Sequence, residues 1–195
     1  MRKLIACEWM SLDGVIQAPS SPEEDPSGDF KHGGWHSRYF EKESMASVIE
    51  SIQGASAFLF GRRTYEIFAA HWPHASEQEQ PLAQPLNERP KYVVSSSLQG
   101  PLDWENSAIL GSAFEDEVGD LKRSDAGDLL LIGSSKLAKT LIARKLVDEL
   151  RLMVDPLCLG VGKRLCPVSD EPVYLRLISS KAVLSGALLL SYAVS

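Results

Sequence analysis

The chain has 195 residues, 44% hydrophobic and 24% charged, which is typical of one globular domain with a full apolar core. Its formal net charge of −6 argues against a nucleic-acid-binding surface, which would carry a basic patch. No apolar run approaches the ~20 residues that span a bilayer, and the N-terminus meets an acid before a signal-peptide core could form. We therefore expect a single domain over residues 1–195 of a soluble, cytoplasmic protein, without nucleic acid or membrane partners.

Neither the cysteines nor the histidines are spaced like metal ligands. Cys7, Cys158 and Cys166 are odd in number and unrelated in spacing, which indicates free thiols. His32 and His36 lie four residues apart, but in a glycine-rich loop where no helix would align them. We expect no metal site.

The order of apolar and polar residues predicts an α/β chain. The first strand is expected at residues 2–10, followed by a turn at 11–14 and a long loop at 18–35. Further strands are predicted at residues 57–60, 91–97, 128–133 and 148–154. Helices are predicted at 37–53, 64–70, 113–122 and 137–145, a loop at 78–90, and a terminal antiparallel hairpin at 173–181 and 187–194. Alternating strands and helices indicate the α/β class.

Three of the predicted strands end in small residues that are rich in hydrogen-bond donors. Ligands of open parallel sheets bind beyond the carboxyl ends of the strands, and amides at the start of a helix bind phosphate. Each end alone is more typical of a turn or a helix cap, but three in one chain predict a site for one phosphorylated ligand such as a dinucleotide. The three ends are Gly61-Arg62-Arg63-Thr64, Ser95-Ser96-Ser97 and Gly133-Ser134-Ser135-Lys136.

These motifs, in this order, resemble the stand-alone members of the riboflavin-biosynthesis reductase family, which includes the C-terminal domain of bacterial bifunctional deaminase-reductases. The resemblance rests on residues 11–14, 61–66, 91–95, 132–134 and 146–165. It implies the dihydrofolate reductase fold, with a twisted, mostly parallel sheet of about eight strands, flanking helices and the C-terminal antiparallel hairpin. It also implies NADPH as the cofactor, and a homodimer.

The resemblance assigns cofactor contacts to eleven residues. The first group matches a turn that contacts the cofactor phosphates: Gly61, Arg62, Arg63 and Thr64. Ser95 and Ser96 match a hydroxyl pair near the adenosine 2′-phosphate. The last group matches a glycine-rich turn and a helix N-terminus that hold the pyrophosphate: Gly133, Ser134, Ser135, Lys136 and Leu137. The chain departs from the glycine-rich pattern at Ser134 and Ser135.

Two carboxyl groups and two indoles are candidates for the reaction site. Asp13 precedes Gly14, which is common turn chemistry, so a structural role is favoured for it. Alternatively, Asp13 or Glu8 lies beside the nicotinamide as proton donor or substrate anchor. Trp9 and Trp35 are candidates for the walls of a planar substrate site, although tryptophans more often pack in a core.

The substrate is less well specified than the cofactor. Family members that reduce the phosphoribosylamino-pyrimidine carry a lysine where this chain has Cys7, and the helical carboxylate of dihydrofolate reductases is matched only by Glu41 or Glu43. We expect an NADPH-dependent reductase that transfers hydride to an imine or carbonyl carbon of a heterocyclic or sugar-derived substrate. By resemblance it is similar to 5-amino-6-(5-phosphoribosylamino)uracil reductase. The alternatives are an NADPH-binding sensor or regulatory dimer without turnover, and dihydrofolate reductase activity.

Overall fold

The computed structural model describes residues 2–124, 126–166 and 171–195, within which eight strands and five α-helices form. The strands are β1 (Leu4–Ser11), β2 (Ala57–Gly61), β3 (Lys91–Val94), β4 (Ser107–Leu110), β5 (Leu129–Ile132), β6 (Glu149–Asp155), β7 (Leu175–Ala182) and β8 (Leu188–Val194). The helices are α1 (Lys42–Gly54), α2 (Arg62–His71), α3 (Gln80–Glu88), α4 (Phe114–Arg123) and α5 (Ser135–Ala143).

The strands form one sheet in the order β4-β3-β2-β5-β1-β6-β8-β7. Neighbouring strands from β4 to β6 run parallel, whereas β8 runs antiparallel to both β6 and β7. This arrangement confirms the expected mostly parallel sheet of about eight strands with a C-terminal antiparallel hairpin. Because parallel strands share a carboxyl edge, the ends of β1, β2, β3 and β5 lie near one another.

The sheet separates two apolar cores. Successive side chains of β1 point to opposite faces, so Leu4 and Ala6 pack in one core and Ile5 packs in the other. The core with Leu4 is covered by α4 and α5 through Val118 and Leu141. The opposite core is covered by α1, α2 and α3, which contribute Ile52, Tyr65 and Leu86. β5 is buried along its whole length, which explains its continuous apolar sequence.

Helix α3 lies where a loop was expected at residues 78–90, so that prediction is wrong. Pro81 lies in the first turn of the helix, where the missing N–H has no intrahelical partner in any case. Pro85 lies inside the helix and removes one backbone hydrogen bond. Burial of Leu82 and Leu86 in the core offsets that loss, which is a tertiary effect that local propensity does not contain.

The edge strand β4 and the start of α1 also differ from expectation. β4 is absent from the sequence-based expectations because only its last residue, Leu110, is buried, which leaves a weak apolar pattern. Residues Trp35–Arg38 form a short 3-10 turn, and α1 begins at Lys42, five residues later than the predicted start at residue 37.

The described residues form neither a membrane-spanning helix nor a cluster of metal ligands. Across these ranges, none of the helices combines the length and the apolar composition needed to cross a bilayer. The same residues contain no group of three or more histidine, cysteine, aspartate or glutamate side chains placed to hold a metal ion.

Candidate active site

A cleft of about 810 Å³, called the first cleft, lies beyond the carboxyl ends of β2, β3 and β5. It brings together all eleven residues for which the family resemblance implies cofactor contacts. They are Gly61, Arg62, Arg63, Thr64, Ser95, Ser96, Gly133, Ser134, Ser135, Lys136 and Leu137. The three strand-end motifs therefore line one cavity, as the parallel topology requires.

A hydrogen bond between two strand ends shapes the first cleft. The amide of Gly61 donates to Oγ of Ser134 over 2.9 Å. Gly133 and Ser134 both adopt left-handed backbone conformations, with φ of 56° and 60°, so the chain turns sharply before α5. Because the Ser134 hydroxyl is used on Gly61, it does not cap α5, and the first amides of that helix stay available to a ligand.

The basic side chains of the first cleft fall into two groups. Arg62 pairs with Glu66 on the next helical turn over 2.9 Å, and Arg63 donates to Asp25 over 2.6 Å. Lys136 and Lys139 lie on neighbouring turns of α5 and form no ion pair with any described residue. Lys139 was not among the residues predicted from the sequence, although its spacing of three from Lys136 places both on one helix face. A phosphate bound in this cleft would therefore contact two lysines that form no ion pair with any described residue.

Asp25 connects the long loop of residues 18–35 to the rim of the first cleft. It accepts hydrogen bonds from Arg63, from the hydroxyl of Ser27 and from Nζ of Lys163. Burial would raise the pKa of this carboxyl, but the hydrogen bonds from Lys163, Ser27 and Arg63 outweigh it and lower the pKa to about 2. Asp25 is therefore ionised at neutral pH and forms ion pairs with two cations that line the cleft, Arg63 and Lys163.

The two predicted serines after β3 have different environments. Ser95 is buried, and its hydroxyl accepts hydrogen bonds from the amides of Ser97 and Leu98 over 3.1 and 3.0 Å. Ser95 therefore closes the turn after the strand. Ser96 is exposed and lines the cleft, so it is the member of the pair whose side chain is accessible to a ligand.

The second cleft has a volume of about 590 Å³ and lies between α1 and the strands β1, β6, β7 and β8. Its apolar wall includes Trp9, Ile132 and Met153. Six serines supply hydroxyl groups: Ser44, Ser47 and Ser51 from α1, and Ser179, Ser180 and Ser191 from the hairpin. This cleft was not foreseen from the sequence, where its only signal is the three-and-four spacing of the serines on α1.

Glu8 lines both clefts. The residue is 5% exposed, and its Oε1 has no hydrogen-bond partner among the described residues. Burial, assisted by the charge of Glu24, raises the pKa of the Glu8 carboxyl to about 8. The carboxyl is therefore mostly protonated at neutral pH and is placed between the two cavities.

Asp13 lies outside the lining of both clefts. Its Oδ1 accepts from the Ser11 hydroxyl over 2.6 Å and from the Leu159 amide over 3.0 Å, and Oδ2 accepts from the Gly160 amide over 2.9 Å. The hydrogen bonds from Ser11 and Leu159 hold the pKa of the Asp13 carboxyl well below its usual range. The geometry favours the structural interpretation, in which Asp13 anchors the loop after β6 to the turn after β1.

The two candidate tryptophans lie in different environments. Trp9 lines the second cleft, and its ring lies 5.3 Å from the ring of His36. Trp35 is 6% exposed, packs with Val15 and Phe30, and donates Nε1–H to the Gln17 carbonyl over 2.8 Å. Trp9 therefore remains a candidate for a substrate wall, whereas the environment of Trp35 is that of a core residue.

The sheet order, the terminal hairpin and the cleft at the carboxyl edge define a dihydrofolate reductase-like α/β protein. A dihydrofolate reductase from Enterococcus faecalis, complexed with NADP(H) and RAB-propyl, matches with a TM-score of 0.60 and 16% identity over 99% of this chain and 96% of its own. A pyrimidine reductase-like protein from Corynebacterium diphtheriae matches with a TM-score of 0.68 and 14% identity over 100% of this chain and 92% of its own.

Sequence comparisons identify the family. The model of the RibD C-terminal domain matches residues 2–189, and the chain belongs to this family. It is 30% identical to the uncharacterized protein YyaP of Bacillus subtilis over 198 residues, which cover 98% of this chain and 94% of YyaP. RibD of Acinetobacter baumannii matches in structure with a TM-score of 0.63 and 14% identity, and this chain spans 58% of its length.

Proposed function

We propose that the protein is an NADPH-dependent reductase in which the first cleft binds the cofactor, the second cleft binds the substrate, and Glu8 supplies a proton between them. One observation carries this proposal: a buried carboxyl without a hydrogen-bond partner among the described residues lines both cavities. Membership of the RibD C-terminal domain family and the similarity to a dihydrofolate reductase complexed with NADP(H) support it.

The residues of the first cleft fit a dinucleotide phosphate. The helices α2 and α5 both begin at this cleft without a side-chain cap, so their first amides are free to donate to anionic oxygens. Lys136 and Lys139 add two positive charges beside the start of α5. When bound, NADPH supplies the hydride, and the chain supplies binding, orientation and the proton.

Glu8 has the protonation state that the reaction needs. Hydride addition to the carbon of a C=N or C=O group leaves an electron pair on the nitrogen or oxygen, which must be protonated. A carboxyl group with a pKa of about 8 is protonated at neutral pH and donates that proton to the nitrogen or oxygen. Its conjugate base is then a poorly solvated carboxylate and recovers a proton from water, which completes the cycle.

The test measures cofactor binding and turnover separately. Calorimetry with NADPH and NADH reports binding, and loss of NADPH absorbance reports turnover with 5-amino-6-(5-phosphoribosylamino)uracil, dihydrofolate and a panel of imines and carbonyl compounds. We expect NADPH to bind and at least one compound to be reduced. A Glu8→Gln variant should bind NADPH like the wild type and lose turnover by about 100-fold, whereas Glu23→Gln, at an exposed acid of the long loop, should retain it.

The outcomes separate the alternatives. Failure of NADPH to bind would remove the cofactor assignment altogether. Binding without reduction of any compound would favour a sensor or regulatory protein, and reduction of dihydrofolate alone would favour dihydrofolate reductase activity. Unchanged turnover in Glu8→Gln would leave the reductase in place and remove Glu8 as the proton donor.

We also propose that the protein forms a homodimer through β7. All eight residues of this edge strand are exposed, including Leu175, Leu177 and Ile178, and among the described residues no strand pairs with its outer backbone groups. An open apolar edge can pair with the same edge of a second copy about a twofold axis. Light scattering should report a dimer that Leu177→Glu dissociates; a monomeric wild type would contradict the proposal.

A further inference from the structure

We infer that the second cleft selects a neutral, hydroxyl-bearing substrate without a phosphate group, such as a planar heterocycle attached to an unphosphorylated sugar. This inference rests on the proposed function for the reaction, but it concerns binding and is tested by binding. It departs from the phosphorylated substrate that the family resemblance suggests for this site.

Two unpartnered polar groups indicate that the second cleft holds a ligand. Glu8 and Ser44 line it from β1 and α1, and the two residues are 5% and 0% exposed. Neither Oε1 of Glu8 nor Oγ of Ser44 has a hydrogen-bond partner among the described residues. Buried polar atoms are normally satisfied, and a ligand in this cleft that carries its own donors and acceptors would satisfy these two.

The remaining lining suits a planar ring with hydroxyl groups. Trp9, Ile132 and Met153 offer an apolar wall for a ring. The hydroxyl groups of the six serines can both donate to and accept from sugar hydroxyls. Two of the six hydroxyls are already engaged, since Ser51 accepts from Arg151 and Ser191 donates to Glu149.

The charges of the second cleft disfavour a phosphate. The two cations that line this cleft are both paired. Nε of Arg151 donates to Oε1 of Glu149 over 2.8 Å, and Nζ of Lys181 lies 3.3 Å from Oε2 of Glu43. Although burial opposes it, the hydrogen bond to Glu149 and the charge of nearby Glu50 raise the pKa of the Arg151 guanidinium. A phosphate in this cleft would compete with two carboxylates for their cations and would also face the charge of Glu50.

The first cleft provides the contrast. There, Lys136 and Lys139 stand without ion pairs to any described residue, and two helix N-termini face the cavity. The protein therefore provides anion-binding groups on the cofactor side of Glu8, while on the other side the cations are already neutralised. The groups that would bind a substrate phosphate therefore lie in the first cleft, where the cofactor is proposed to bind, and not in the second cleft.

The decisive experiment compares two probes that differ only in the phosphate. Calorimetry measures the affinity of the full chain for 5-amino-6-ribosylaminouracil and for its 5′-phosphate, with and without NADPH. We expect the unphosphorylated probe to bind at least about tenfold more tightly. Equal or tighter binding of the phosphate form, or failure of both probes to bind, would overturn the inference.

Matched variants place the binding in the second cleft. Ser44→Ala should weaken the unphosphorylated probe severalfold without lowering the unfolding temperature, because the lost hydroxyl has no partner among the described residues. Ser107→Ala is the control, since that buried hydroxyl is equally unpartnered but lines neither cleft. Unchanged affinity in Ser44→Ala would contradict the assignment of the cavity.

A charge variant tests the reason for the selectivity. Glu149→Gln releases Arg151, so the phosphate form of the probe should gain about tenfold in affinity, while Asp120→Asn, in an exposed ion pair on α4, should change nothing. No gain in Glu149→Gln would contradict the role of the ion pair. NADPH oxidation is followed in a separate assay: probe binding without NADPH oxidation by the probe or any compound of the panel would remove the reductase proposal and leave this inference standing.

Discussion

Nδ1 of His36 lies 2.8 Å from Oδ2 of Asp155, and both side chains are buried. The pair joins the turn after the long loop to the carboxyl end of β6. The ring of Trp9, which lines the second cleft, packs 5.3 Å from the His36 ring. The hydrogen bond therefore positions both the end of the loop and one wall of the proposed substrate site.

Loss of this pair should destabilise the fold. Asp155→Ala leaves a buried imidazole nitrogen without its partner, and we expect the free energy of unfolding to fall by about 2 kcal/mol. Asp155→Asn keeps an oxygen at the same place and should cost less. Urea unfolding of the three proteins at neutral pH measures the difference; equal losses in both variants would show that the carboxylate charge, and not the acceptor, is needed.

The buried Glu8 should make stability depend on alkaline pH. Its folded-state pKa of about 8 is above the unfolded value of ~4.3, so the folded state holds the proton more tightly. The resulting stabilisation is fully present below about pH 4 and is lost as the pH rises through about 8. Glu8→Gln is neutral at every pH, so its stability relative to the wild type should increase by about 3 kcal/mol as the pH rises from ~6 to ~9.

Urea unfolding of both proteins at several pH values in this range checks the effect. Lys91 is a second group that titrates there, because burial lowers the pKa of its ammonium to about 8. It is the same in both proteins, so its contribution cancels in the difference. A constant difference between Glu8→Gln and the wild type over the whole range would contradict the raised pKa of Glu8.

Asp25 should oppose cofactor binding by occupying Arg63 and Lys163. Asp25→Asn removes the charge that neutralises these cations, so we expect NADPH to bind up to about tenfold more tightly, with a smaller effect on NADH. Arg63→Ala should act in the opposite direction and weaken NADPH more than NADH. Calorimetry with both cofactors measures these changes, and Asp120→Asn serves as the control for loss of an exposed carboxylate.

The two cofactors make the Asp25 test specific. If Arg63→Ala weakened NADPH and NADH equally, the arginine would not contact the 2′-phosphate. If Asp25→Asn weakened both cofactors, Asp25 would act mainly by holding the loop in place through Ser27 and Lys163.

The sequence predicted those parts of the fold and of the site that depend on residues adjacent to one another in the chain. β5 was found because a central parallel strand is apolar throughout, and the strand-end motif at Gly61 because its glycine and arginines are consecutive. α3 was missed because Pro81 and Pro85 are local helix-breaking signals, while the burial of Leu86 that stabilises this helix depends on the core.

The second cleft could not be found in the same way. Its walls come from α1, β1, β6 and the terminal hairpin, which are far apart in the chain. The pairing of Lys181 with Glu43 and the absence of a partner for Oγ of Ser44 both depend on how these elements pack. Likewise, no local pattern indicates that Glu8 in β1 would be buried and would line two cavities.

Ser134 offers a test that separates a hydrogen bond from backbone strain. The residue has a left-handed conformation, with φ of 60°, and its hydroxyl accepts from the amide of Gly61. Ser134→Ala loses the acceptor and keeps a side chain in the unfavourable conformation. Ser134→Gly loses the same acceptor but adopts that conformation without steric cost, so it should be more stable than Ser134→Ala by about 1 kcal/mol.

The effect on the cofactor should follow the hydrogen bond. Both variants leave the Gly61 amide without its partner and loosen the contact between the ends of β2 and β5, so we expect both to weaken NADPH by a similar factor of about 10. Urea unfolding and calorimetry on the same samples measure the two effects. If affinity instead followed stability, with Ser134→Gly binding like the wild type, the left-handed backbone alone would shape the site and the hydroxyl would have no part in it.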